Sequence, residues 1–167
     1  MNNMISHEAR PSFIFRVLRP TSQADFGQLV SCIKLRLDNV KLLQEYPLSE
    51  RTFDTALATS AVLEVEKIPT NFERGARQAI TKLGFNFPDP AEVLSFVYYN
   101  VPRYEQLLPQ FLVCGVRRES PTKPEIILFL KREARDFGSS FSFIEVSAKN
   151  IGVKSEILLI REHEEEE

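Results

Sequence analysis

Histidine, cysteine and glycine are scarce in this 167-residue chain, and each shortage removes a class of chemistry. The two histidines, His7 and His163, each lie within a few residues of an end of the sequence. Histidine is the usual general base at neutral pH and the commonest metal ligand, and catalytic groups need rigid surroundings. A Ser-His-Asp or Cys-His mechanism, or a histidine-built zinc site, is therefore not expected. The two cysteines, Cys32 and Cys114, form no CxxC pair and sit in apolar runs without an activating neighbour. They are expected to be free, reduced and mostly buried, which fits a cytoplasmic, reducing setting. Residues 1–10 are polar and charged, unlike a secretory leader, and no run approaches 18 apolar residues, so no membrane span is expected. The six glycines make no GxGxxG or P-loop, so no nucleotide or other cofactor is implied. No catalytic, cofactor-binding or metal-binding residues emerge, and the reading leans away from an enzyme.

What is present is a globular composition. A hydrophobic content of 43% excludes wholesale disorder, and a net charge of -2 excludes a polybasic protein. The length suits one core. The expected layout is a tail over 1–10, a single domain over 11–162, and an acidic, solvated tail over 163–167.

Local signals in the first two-thirds are mostly helical. A Phe- and Ile-rich strand over 12–18 ends at Pro20. Thr21 or Ser22 then caps a helix, in which Phe26, Leu29, Val30, Ile33, Leu37, Val40 and Leu43 recur on one face up to about Tyr46. The alternation Ile33-Leu35-Leu37 is a minor hint of a strand. Leu48 and Phe53 flank the Ser49 cap at staple spacing, which predicts a second helix to about Ser60. Leu63 and Val65, alternating with glutamates, suggest a short strand after it. Thr70 and Glu73 form a capping box for a helix ending at Gly84. Asp89-Pro90-Ala91-Glu92 joins an N-cap, a first-turn proline and an acid, and predicts a helix to about Tyr99.

From Phe111 onward four apolar runs alternate with short turn-like segments. Such connections are too short for parallel crossovers, so the runs are expected to form an antiparallel meander. The predicted fold class is thus α+β. A mainly helical first two-thirds (about 21–109) packs on a C-terminal four-stranded antiparallel meander (about 111–162), and the N-terminal strand joins the sheet. Both faces of nearly every strand are apolar, so both must be kept dry. All predicted helices precede the meander and should gather on one face, leaving the other for a partner. Phe141 and Phe143 are the expected partner-binding residues on that open face.

The leading functional expectation is a non-enzymatic interaction, assembly or regulatory protein, binding a protein partner or a copy of itself through an apolar sheet face or edge. The alternative is a small nucleic-acid-binding protein. Arg117, Arg118, Lys131 and Arg132 fall near strand ends and would form a basic, polyanion-binding strip.

Overall fold

The computed structural model describes residues 13–32, 37–50, 57–66, 81, 84–104, 107–136, 138–148 and 154–163. Its centre is a mixed sheet of seven strands in the order β1-β3-β7-β4-β5-β6-β2. The strands are β1 (Phe13–Arg16), β2 (Leu37–Asp38), β3 (Leu57–Glu66), β4 (Phe111–Arg117), β5 (Ile126–Arg135), β6 (Gly138–Ser147) and β7 (Lys154–Glu162). Two α-helices, α1 (Gln23–Cys32) and α2 (Pro90–Tyr104), and a 3₁₀ helix (Val40–Glu45) complete the described elements. This corrects the expected fold class. The chain is mostly sheet, and its sheet is not a four-stranded antiparallel meander.

Two of the differences have clear physical origins. The described apolar positions assigned to one long helix belong to three elements, and Ile33 lies outside the described residues. Helix α1 ends at Cys32, Leu37–Asp38 form β2 beside Phe141–Ser142, and the 3₁₀ helix follows. Val40, Leu43 and Tyr46 still face inward, at the three-residue repeat of a 3₁₀ helix. The periodicity reported burial correctly and helix type wrongly. The stretch Leu57–Ser60, assigned to the end of a second helix, opens the long strand β3. Ala58, Thr59, Ser60 and Ala61 are all buried there, and their small side chains fit a strand packed on both sides. The helix expected over 70–83 has its start outside the described residues, as do the tail over 1–10 and residues 164–167.

The meander needs correction too. Strands β4, β5 and β6 pair antiparallel in sequence, with the β5–β6 hairpin closing at Arg135↔Gly138, where Gly138 takes φ 91. Strand β7, however, does not join β6. It pairs antiparallel with β3 and parallel with β4, at Val113↔Ile157. A short connection limits only strands that end up side by side, and consecutive strands need not do so.

Both faces carry a core. On one, Phe26 and Val30 of α1, Leu43 of the 3₁₀ helix, and Leu94, Phe96 and Val97 of α2 bury Leu112, Leu128, Leu130, Leu158 and Ile160. Phe96 also meets the rings of Phe13 and Phe15, at 6.4 and 5.9 Å, which fixes β1. On the other, Phe87 packs with Val113, Ile127, Phe129, Ile157 and Leu159, with Phe85, Val116, Ile144 and Val146 at the margin. Phe141 and Phe143, expected on an open face, are 3% and 0% exposed and belong to the helix-covered core. They present no contact surface in this fold. Cys114 is buried as expected, whereas Cys32, at the end of α1, is exposed.

The substitution Phe143→Glu should therefore unfold the protein. Placing an unpaired carboxylate at a fully buried site costs about 4 kcal/mol or more. Loss of cooperative thermal unfolding is the expected observation; a folded variant would contradict the placement.

Candidate binding cleft

A cleft of about 370 Å³ opens beside the C-terminal end of β4. One wall is the segment Tyr46–Ser49 that follows the 3₁₀ helix, and the other is Asn86–Pro90, which leads into α2. Cys114, Gly115 and Val116 of β4, with Leu128 of β5 and Leu43, form the floor.

The floor owes its shape to a β-bulge. The β4–β5 register passes from Val113↔Phe129 to Gly115↔Leu128, so Cys114 is the extra residue. Gly115 then lies beneath the ring of Tyr46. A Cβ at that position would sit 3.2 Å from the ring's Cε2, so even alanine would require the ring to give by a few tenths of an ångström.

Asp89 joins the two walls. Its Oδ2 accepts hydrogen bonds from the Ser49 N–H (3.0 Å) and the Ser49 hydroxyl (2.9 Å). Its Oδ1 accepts from the Glu92 N–H at 2.8 Å, and Glu92 Oε1 accepts in return from the Asp89 N–H at 2.9 Å. This reciprocal box starts α2 where the exposed N–H groups and the helix dipole favour negative charge. The second wall is also tied to β7, because the Asn86 N–H and C=O pair with the C=O and N–H of Ile160.

An ion cluster secures the first wall. Glu145 accepts from Arg117 Nε (2.7 Å), Arg117 Nη2 (3.2 Å) and the Tyr46 hydroxyl (3.0 Å). The Arg117 guanidinium carbon lies 5.9 Å from the centre of the Tyr46 ring. Burial and the adjacent Glu145 push the Tyr46 hydroxyl well above its ordinary pKa, so it stays a donor. The hydrogen bond to Glu145 raises Arg117. Burial alone would raise Glu145, but the bonds from Arg117 and Tyr46 outweigh it and hold the carboxyl below its usual range. Burial pushes the Cys114 thiol up to about 12, so it is protonated and unreactive at neutral pH.

The four basic residues expected to form one strip do not meet. Arg117 and Arg118 lie at the Ile126 end of the β4–β5 pair, and Lys131 and Arg132 at the Phe111 end. A seven-residue strand, roughly 20 Å, separates them. Three of them also sit beside glutamates: Arg117 on Glu145, Arg118 3.8 Å from Glu125, and Lys131 2.9 Å from Glu133. The backbone N–H of Arg132 donates to the Gln110 carbonyl. His163 Nδ1 lies 3.0 Å from the Thr59 hydroxyl at the β3–β7 end. Among the described residues, no three of His, Cys, Asp and Glu lie close enough to hold a metal ion, and no helix is long and apolar enough to cross a membrane.

The sequence reading took Asp89 and Ser49 as helix caps and missed that they meet. Two signals for the cleft were present. Pro47, Pro88 and Pro90 stiffen its two walls, and Gly115 interrupts an apolar strand, which is how a bulge or a close approach announces itself.

Asp89→Ala should cost roughly 3 kcal/mol, more than an ordinary cap, because it strands three donors at a buried site. Ser49→Ala removes one donor and should cost about 1 kcal/mol. Urea midpoints check both. Glu145 is held below its unfolded pKa of about 4.3, so its contribution is present above that pH and lost as pH falls through the folded value. Glu145→Gln should be less stable than wild type at pH 6 and lose less stability between pH 6 and 3. An unchanged pH slope would show that the cluster contributes nothing.

Comparison with family models, curated proteins and solved structures gives no match.

Proposed function

We propose that the chain is a non-enzymatic interaction protein, which receives an apolar group of a protein partner in the cleft beside β4. The observation that carries this reading is the cleft's chemistry. Its walls and floor are mainly Leu, Pro, Phe and Val, and its Tyr46, Ser49 and Asp89 side chains spend their polar groups on neighbours. Pockets of about 300–1,000 Å³ with apolar linings are the usual form of a binding site, and partner recognition concentrates in such pockets. The sheet faces support the reading less, since the chain's own core residues cover them. Its edges are its two shortest strands, β1 and β2, which limits strand addition. Binding of a polyanion has less support again, because the four cations are split between two strand ends. The exposed, unpaired Cys32 supports a reducing, cytoplasm-like setting.

The test is selection of a displayed random-peptide library on the full chain. Peptides with apolar anchors should be enriched, and Pro47→Asp, which puts a charge at the exposed mouth of the cleft, should weaken them about tenfold or more. A failed selection, or peptides indifferent to Pro47→Asp, would sink the proposal.

A further inference from the structure

The charges around the cleft are already spoken for, and this restricts what can enter. Among the described lining residues Asp89 is the charged one, and it is 6% exposed with three donors on its two oxygens. The nearby Glu145 is neutralised by a two-pronged bond from Arg117 and capped by Tyr46. The backbone N–H and C=O of Asn86 are both taken by Ile160. An incoming ammonium or carboxylate would shed its water and meet no free counter-charge among the described lining residues, and that desolvation goes uncompensated. An apolar group loses nothing and buries surface against Leu48, Leu128 and Phe87. Size adds a second restriction. A cavity of about 150 Å³ holds one benzene, so 370 Å³ has room for roughly two such groups.

We infer that the occupant is a pair of neighbouring, uncharged apolar side chains on the protein partner, and that the cleft rejects either sign of charge. This rests on the interaction reading above and names the chemistry its partner must present.

Indole, indole-3-acetate and tryptamine offer one ring as a neutral, anionic and cationic probe. Each is titrated into the full chain and followed by amide NMR. Indole should shift Val116, Leu128 and Phe87, and the two charged probes should bind about tenfold more weakly or less. Pro47→Asp, at the exposed mouth, should abolish the indole shifts; Asn86→Trp, at an exposed position of the other wall, serves the same purpose should the first variant misfold. Equal or tighter binding of a charged probe, or no indole shifts at millimolar concentration, overturns the inference. The library separates the two readings. Cleft-dependent peptides anchored by a charged residue overturn this inference and leave the interaction reading standing. Indole selectivity with no selected peptide overturns the interaction reading, and with it the protein source assigned here.

Discussion

Strands β7, β4 and β5 bury side chains on both sides, with Leu158, Ile160, Leu112 and Leu128 on one face and Ile157, Leu159, Val113 and Ile127 on the other. Each fully buried Leu, Ile or Phe contributes about 1.5–3 kcal/mol, so neither face can be left wet. The remaining architecture follows from that requirement. Helices α1 and α2 and the 3₁₀ helix cover one face, and the chain before α2 lays Phe85 and Phe87 on the other. Where two such coverings end at the same sheet margin, a gap opens between them, and that gap is the cleft.

A gap of this kind persists only if its walls are held. Asp89 does so with short, charge-assisted bonds that start α2 and fasten Ser49 at once. Glu145, Arg117 and Tyr46 do so from the strand side. Two carboxylates from distant parts of the chain thus set the cleft's width, while most of its lining residues are apolar. Rigid walls of this kind lower the entropy lost on binding.

The sequence was more informative about burial than about shape. Nearly every described residue assigned to a helix's inner face is buried or half-buried, including Phe26, Val30 and Leu43, whereas Phe141 and Phe143, expected on an open face, are buried instead. Helix caps at Ser22 and Asp89 were legible because a cap is a local arrangement of three or four residues. Long-range pairing was not. Strand β3 was half hidden by the small residues of Leu57–Ser60, whose strand conformation depends on partners about 100 residues away in β7. The placement of β7 beside β4 leaves no local trace at all. The same limit explains the cleft: Asp89 and Ser49 were each readable alone, but their meeting across 40 residues was not.

The extra residue at Cys114 has one more effect, on the parity of the strand. In an unbroken strand, alternate residues share a face, so Arg117 would lie on the face of Val113 and Phe129. The bulge moves every later residue of β4 by one step, which puts Val116 on that face and Arg117 on the face of Tyr46 and Glu145. The number of residues in β4 is thus as binding as their identity. A strand that straightened while keeping all seven residues would carry the guanidinium through the sheet, away from its carboxylate, without changing a single charge in the chain.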